Sequence, residues 1–226
     1  MCGIVGYVGH KDASDVLVDS LSKLEYRGYD SAGIAVFEDN KIVTEKSKGR
    51  LQDLSDKLAN GHKPEGVCGI GHTRWATHGE PSDINSHPHG SAKVTIVHNG
   101  IIENYLKIKN KLISKGYEFL SETDTETVAK LLDYYYEGDP IATIKKVLTK
   151  VEGAYALGIM FADYPGKIFA VRKDSPLIVG SDANEVIFAS DIPAILHFTR
   201  NYYLLDNFDI VEANESSLKF YNKDLK

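Results

Sequence analysis

The order of strand-like and helix-like segments constrains the fold of this chain more than any other feature of its sequence. Period-two alternation of apolar residues predicts strands, whereas other stretches carry apolar residues at helical spacing. The helical stretches come in groups and do not alternate strictly with the strands. That order argues against a parallel doubly wound sheet and predicts an α+β fold of largely antiparallel sheets with helices on their outer faces. The predicted strands are 3–8, 32–37, 41–46, 67–73, 94–98, 154–161, 168–172 and 177–179, and the predicted helices are 15–24, 104–114, 125–136 and 141–151.

Length and composition exclude several classes of protein. A chain of 226 residues suits one domain, because this size buries roughly 70% of the surface of the unfolded form. The net charge of -6 offers no basic patch for nucleic acid, and no apolar stretch approaches the ~20 residues of a membrane-spanning helix. Cys2 and Cys68 cannot form a disulfide framework, and no secretory signal begins the chain. We therefore expect a cytoplasmic globular protein that binds neither nucleic acid nor membrane.

The cysteine at position 2 is a candidate nucleophile. Cys2 directly follows Met1, and removal of Met1 would leave a thiol and a free α-amine on one residue. The amine titrates near ~8 and the thiol near ~8.5, so the amine could take or relay the proton of the thiol. Considered alone, Cys2 could equally be an ordinary residue near a frayed end.

Histidines cluster in one short region, where His72, His78, His87, His89 and His98 lie. His87 and His89 alternate as in a metal site and Cys68 is near them, but there is no second close cysteine and no His-Glu-x-x-His helix. The favoured interpretation is a polar pocket in which the imidazoles are neutral hydrogen-bonding groups. The glycines of the same region lack the phosphate-cradling pattern of a nucleotide site.

The run HTRWATHGEP at 72–81 could hold a small zwitterion. The Arg74 fork can pair with a carboxylate through two parallel hydrogen bonds, and Asp124 is the candidate acid for an ammonium group. The alternative for Asp124 is structural, because Thr123 or Asp124 before the helical run also resembles an ordinary N-cap. Asn99 and Gly100 follow a predicted strand, where they could form either a plain turn or an oxyanion hole.

Several motifs in order carry a resemblance that covers nearly the whole chain. They are CGIVG at 2–6, LEYRGYDSAG at 24–33, the run at 72–81, NSHPH at 85–89, HNGIIEN at 98–104, SETDTE at 121–126 and EGAY at 152–155. In these motifs the chain resembles the glutaminase domains of the glutamine–fructose-6-phosphate aminotransferase (glucosamine-6-phosphate synthase) family. These domains are class II glutamine amidotransferases of the N-terminal nucleophile hydrolase class. The resemblance implies a four-layer αββα sandwich of two antiparallel sheets.

The resemblance also assigns residue roles and partners. It implies thiolate attack on the side-chain amide of L-glutamine, loss of ammonia and hydrolysis of the thioester, with no metal or organic cofactor. It implies a glutaminase domain at 1–226 without the sugar-isomerase domains of the full enzyme, which would be a homo-oligomer. Two alternatives stay open: a glutaminase domain serving another acceptor, and a non-enzymatic glutamine-binding module. The implied roles are Cys2 as nucleophile with its α-amine as base, Asn99 and Gly100 as oxyanion donors, Arg74 and Thr77 for the α-carboxylate, Asp124 for the α-ammonium, Trp75, His78 and His87 as pocket residues, and Arg27 as support for Cys2.

Overall fold

The computed structural model describes residues 2–76, 79–182 and 184–222. Within these residues the chain forms thirteen strands and five α-helices. The strands are β1 (Gly3–Val8), β2 (Ser31–Glu38), β3 (Lys41–Lys48), β4 (Cys68–Arg74), β5 (His89–Gly90), β6 (Val94–Ile102), β7 (Gly153–Phe161), β8 (Ile168–Lys173), β9 (Ile178–Asp182), β10 (Glu185–Ala189), β11 (Tyr202–Leu204), β12 (Ile210–Asn214) and β13 (Ser217–Tyr221). The helices are α1 (Ala13–Ser22), α2 (Leu51–Asn60), α3 (Tyr105–Ile113), α4 (Asp124–Tyr135) and α5 (Pro140–Leu148).

The strands form two sheets. The first sheet has seven strands in the order β11-β9-β10-β1-β4-β2-β3, and the second has six in the order β13-β12-β8-β7-β6-β5. Neighbouring strands within both sheets pair antiparallel. Helices α1 and α2 contact the first sheet, and α4, flanked by α3 and α5, contacts the second. The described residues therefore confirm the predicted αββα sandwich.

Apolar side chains fill the three spaces between the four layers. One buried cluster lies between the helices α1 and α2 and the first sheet, and another lies between the second sheet and the helices α3 to α5. The third cluster joins the facing surfaces of the two sheets. At its centre the ring of Phe188 occupies the space above Gly6 of its own sheet and Gly158 of the other, where added side chains would overlap the ring.

The structure contains elements that the sequence patterns did not predict. Helix α2 was not predicted because its apolar face consists of only Leu51, Leu54 and Leu58 in an otherwise polar segment. The strands β5 and β10 to β13 were also missed, since each has five residues or fewer and too little alternation to stand out. Strand β6 continues to Ile102, four residues past its predicted end at 98. No helix within the described part of the chain is long and apolar enough to cross a membrane.

The pairing of strands brings distant residues to one end of the sandwich. Register places Gly3 of β1 opposite Thr73 of β4, so the residues at the start of β1 and the end of β4 are neighbours in the first sheet. Strand β6 of the second sheet faces this corner, where the side-chain amide of Asn99 donates a hydrogen bond to the carbonyl oxygen of Cys2 at 2.9 Å. The two sheets thus meet directly behind the chain terminus.

Candidate active site

A cavity of about 370 Å³ opens at this corner of the sandwich. Its walls come from both sheets, from the start of α4 and from the loop after β8. Eight of the ten residues that the sequence assigned to a site line it: Cys2, Arg27, Arg74, Trp75, His87, Asn99, Gly100 and Asp124. The other two, Thr77 and His78, lie outside the described residues.

The Cys2 thiol is held beside the backbone of Trp75. The Trp75 N–H donates to Sγ at 3.2 Å, and the Trp75 carbonyl oxygen lies 3.4 Å from the same sulfur. Burial raises the pKa of the Cys2 thiol, and this effect outweighs the hydrogen bond from Trp75 and the charge of Arg74, which act in the opposite direction. The thiol is therefore mostly protonated at neutral pH, and attack on a substrate requires a base.

The start of β1 is anchored by residues that the sequence analysis did not identify. Ser190 Oγ accepts a hydrogen bond from the backbone N–H of Ile4, and the Ser190 N–H donates to the Ile4 carbonyl, each at 3.0 Å. The next residue, Asp191, forms an ion pair with Arg27 at 2.9 Å and accepts from the Tyr26 hydroxyl at 2.5 Å. These contacts hold Arg27 at the cavity wall.

The charge of Asp191 is maintained by the same contacts. Burial acts to raise the pKa of this carboxyl, but the hydrogen bonds from Tyr26 and from the Ile192 N–H, together with Arg27, hold it below its ordinary value. The sequence offered one usable signal, because Asp191 before Ile192 and Pro193 is typical of a cap for a helical turn, and its Oδ1 does accept from the Ile192 N–H. That signal predicts a cap, not a partner for Arg27.

Asn99 and Gly100 lie within β6, so the interpretation of this pair as a turn is wrong. They pair with Ala156 and Tyr155 of β7. Gly100 has φ of 123°, a conformation that L-residues with side chains rarely adopt, and an added Cβ would overlap the carbonyl oxygen of Ala154. The strand pairing thus requires glycine here and brings both residues to the cavity wall.

Arg74 ends β4 and is only 3% exposed. Its guanidinium donates to the carbonyl oxygen of Gly79 at 2.9 Å, and the Glu80 carbonyl lies at 3.5 Å. The guanidinium also lines the cavity. An arginine fork at this wall suits the carboxylate of a bound molecule, because it can donate two parallel hydrogen bonds.

Asp124 provides the opposite charge, and it is not the N-cap of helix α4. The N-cap of α4 is Thr123, whose Oγ1 accepts from the Glu126 N–H at 3.2 Å. Asp124 is 4% exposed, and its Oδ2 accepts from the Ile102 N–H of β6 at 2.9 Å. The interpretation of Asp124 as the cap is therefore wrong. Its Oδ1 lies 3.5 Å from the Thr125 hydroxyl and 4.0 Å from His98 Nδ1, and the residue lines the cavity, where its carboxylate can meet an ammonium group.

His72 and His87 are buried, neutral hydrogen-bonding groups. Burial, reinforced by neighbouring histidines and Arg74, lowers the pKa of His87 well below its ordinary value, and burial likewise lowers that of His72 to about 3. His87 Nδ1 accepts from the His98 N–H at 3.3 Å, and its Nε2 lies 3.3 Å from Thr125 Oγ1. Both ring nitrogens of His87 are thus engaged with protein groups. Among the residues described, no group of three histidine, cysteine or acidic side chains is arranged to hold a metal ion.

Trp75 lies at the mouth of the cavity. Its side chain is 49% exposed, and its ring meets the edge of the Tyr29 ring at 5.5 Å between centroids. The next residue is held by Asp30, whose carboxylate accepts from the Ala76 N–H. Trp75 therefore contributes its backbone to the thiol and its indole to the entrance.

Comparison with known proteins shows which family and which relatives this chain is similar to. Residues 72–197 match the glutamine amidotransferase domain family. The chain is 55% identical over 228 residues to glutamine–fructose-6-phosphate aminotransferase (isomerizing) of Clostridium tetani, and 57% identical over 226 residues to that of Clostridium perfringens. These alignments cover 100% and 99% of this chain but 37% of each relative. The solved structure of glutamine phosphoribosylpyrophosphate amidotransferase from B. subtilis is similar with a TM-score of 0.85 at 25% identity, covering 100% of this chain and 50% of that one.

Proposed function

Because this chain belongs to the glutamine amidotransferase family, we propose that it hydrolyses L-glutamine to glutamate and ammonia, with Cys2 as the nucleophile. One observation carries the proposal. The Cys2 thiol, the Asn99 amide, the Arg74 guanidinium and the Asp124 carboxylate line a single cavity, although they come from two sheets and one helix. A nucleophile, an oxyanion donor and two opposite charges are the groups that hydrolysis of an amino-acid amide requires.

The charges of the cavity suit the backbone end of an amino acid. Arg74 would pair with the α-carboxylate and Asp124 with the α-ammonium, so the side-chain amide would extend toward Cys2. Both charged groups are buried, which strengthens their interaction with a zwitterion relative to water. We propose that Trp75 and His87 complete the pocket, together with Thr77 and His78, which lie outside the described residues.

The proposed reaction begins when the α-amine of Cys2, freed by removal of Met1, takes the proton of the thiol. The thiolate attacks the amide carbon, and Asn99 Nδ2 and the Gly100 N–H stabilise the oxyanion. The protonated amine then gives its proton to the leaving nitrogen, which departs as ammonia, and water hydrolyses the thioester. The raised pKa of the thiol makes a base necessary, and the buried neutral His87, with its strongly lowered pKa, is a poor one.

The acceptor of the ammonia is inferred from the relatives. The chain spans 37% of the length of the glutamine–fructose-6-phosphate aminotransferases that it matches. We propose that residues 1–226 are the glutaminase domain of such a protein, and that ammonia passes to sugar-isomerase domains for glucosamine 6-phosphate synthesis from fructose 6-phosphate in a cytoplasmic homo-oligomer. Identity of 55% to these enzymes, against 25% to the phosphoribosylpyrophosphate amidotransferase, favours this acceptor. Assay of the full-length protein with fructose 6-phosphate tests it.

The nucleophile is tested by comparing the two free cysteines. Cys2→Ala should abolish release of glutamate from glutamine, because no other thiol lines the cavity among the described residues. Cys68→Ala is the matched control, since this residue is 1% exposed on β4 in the apolar space between the sheets and should leave turnover largely intact. Equal loss in both variants would contradict the assignment. A glutamine-like electrophile should add to the wild-type protein and to Cys68→Ala but not to Cys2→Ala in intact-mass analysis, and an undiminished adduct on Cys2→Ala would contradict the assignment as well.

A further inference from the structure

We propose that His72 is a positioning residue, which holds the side-chain amide of Asn99 with its NH₂ group toward Cys2 and thereby sets the oxyanion hole. This inference rests on the proposed function. It concerns a residue of the first sheet that acts on a donor of the second.

The hydrogen bonds of His72 fix the orientation of Asn99. Nε2 of His72 lies 3.0 Å from the carbonyl oxygen of His98 and 3.1 Å from Oδ1 of Asn99. Both partners are acceptors, so Nε2 carries the proton and donates to both. At the other end of the same amide, Asn99 Nδ2 donates to the Cys2 carbonyl at 2.9 Å. A rotation of the amide by 180° would oppose donor to donor at His72 and acceptor to acceptor at Cys2.

The environment of His72 makes this donor permanent. The ring is fully buried and stacks on the His87 ring at 3.9 Å between centroids with 11° between planes. Burial lowers the pKa of His72 to about 3, so the ring stays neutral with its single proton on Nε2. Nδ1 of His72 is buried without a hydrogen-bond partner among the described residues. A buried polar atom without a hydrogen bond lowers the free energy of unfolding. The useful contribution of His72 must therefore come from the hydrogen bonds that its Nε2 donates.

The consequence for catalysis follows because an asparagine amide can take two orientations, with either its NH₂ group or its oxygen toward the substrate. Without His72, Asn99 could turn its oxygen toward the substrate, where it would repel a developing oxyanion instead of stabilising it. Removal of one oxyanion donor typically lowers kcat by ~10²–10³-fold. Arg74 and Asp124, which would bind the two charges of glutamine, are held by the Gly79 carbonyl and the Ile102 N–H, so ground-state binding should change little when His72 is replaced.

Two substitutions distinguish positioning from simple packing. His72→Leu fills the space but removes the donor, and His72→Gln keeps an N–H donor at similar reach. A packing role predicts that leucine is tolerated better than the polar glutamine. We expect the reverse, with kcat lowered ~10–100-fold in His72→Leu at a KM within ~3-fold of wild type, and within ~5-fold of wild type in His72→Gln.

A double variant tests whether His72 acts through Asn99. Asn99→Ala alone should lower kcat strongly, and adding His72→Leu should lower it by less than ~3-fold more. Independent, multiplying losses would overturn the proposal, as would full activity in His72→Leu. If His72→Leu does not fold, His72→Gln decides, because retained kcat supports the proposal and a loss equal to that of Asn99→Ala refutes it. Failure of the wild-type protein to hydrolyse glutamine would instead refute the proposed function.

Discussion

Substitution of Asp124 by asparagine separates a role in substrate binding from a role in folding. The amide can still accept the hydrogen bond from the Ile102 N–H through Oδ1, and Thr123 still caps α4. The change removes the negative charge that would face the α-ammonium of glutamine. It also presents an NH₂ group, which repels an ammonium group where the carboxylate attracts it.

The expected loss follows from the burial of Asp124, which is 4% exposed. Removing one partner of a desolvated, hydrogen-bonded charge pair costs about 2–5 kcal/mol, which corresponds to a roughly 30-fold to 4,000-fold decrease in kcat/KM. Most of the decrease should be an increase in KM, since the ammonium is held before and during the reaction. The unfolding free energy should change by less than about 1 kcal/mol, the usual size of a helix-dipole contribution.

Asp139 is the matched control. It caps α5 by accepting from the Ala142 N–H at 3.0 Å and does not line the cavity. Asp139→Ala should lower the unfolding free energy by about 1 kcal/mol, and Tm by about 2–4 °C, without a change in kcat/KM. Asp124→Asn should show the opposite pattern, a decrease in kcat/KM with little change in Tm. Glutamate-release kinetics and thermal melts of the two variants make the comparison.

A substrate without the α-amine completes the test. The wild-type protein should discriminate against glutaric monoamide, the analogue of glutamine that lacks the ammonium group, and Asp124→Asn should lose most of that discrimination. The reasoning fails if Asp124→Asn keeps kcat/KM within about threefold of wild type, or if its preference for glutamine over the analogue is undiminished.

Three further predictions use other parts of the site. Arg74→Ala should lower kcat/KM for glutamine by at least ~30-fold, whereas Asn99→Ala should lower kcat by ~100-fold or more, and a change in KM alone would refute the oxyanion role. Protein that intact mass shows to retain Met1 should have near-background turnover, because the amide nitrogen of Cys2 cannot accept a proton; comparable turnover would point to a side-chain base. His72, His87 and His89 have folded pKa values below their unfolded value, so the unfolding free energy should be highest above pH ~6.5 and decrease as the pH falls, by up to about 1.4 kcal/mol per pH unit for each of them. Denaturant melts between pH 7 and 4 with no such decrease would contradict their neutral burial.

Local patterns predicted the central strands but not the periphery of the fold. Strand β1 was predicted with its observed bounds, because a buried run flanked by turn residues is visible in the sequence. Strands β12 and β13 were not, since five residues with mixed polarity carry too little periodicity. Helix α2 was missed for a different reason: Leu51, Leu54 and Leu58 have helical spacing but are too few in a polar segment, and packing against the first sheet makes them a buried face.

The sequence predicted which residues belong to the site, but it did not predict the secondary structure around them or their hydrogen-bond and ion-pair partners. Thr123 and Asp124 are both good caps, so the sequence could not choose between them, and the contact of Asp124 with Ile102 decides it. Asn-Gly usually indicates a turn, but pairing with β7 keeps Asn99 in a strand. Asp191 is 164 residues from Arg27 in sequence, so their ion pair depends on the tertiary fold and no local pattern predicts it.

Because the site is divided between two sheets, the protein can lose activity while its secondary structure is intact. Neither sheet carries all the groups of the site by itself, and the sheets are joined by an apolar layer in which the Phe188 ring packs against Gly6 and Gly158. A change that separates the sheets would part the thiol from Asn99 even if each sheet kept its own hydrogen bonds. The resulting species would still react with alkylating agents and oxidants while turning over no glutamine. Thiol titration would then overestimate the number of active molecules in an ageing preparation. An assay of turnover is needed to count them.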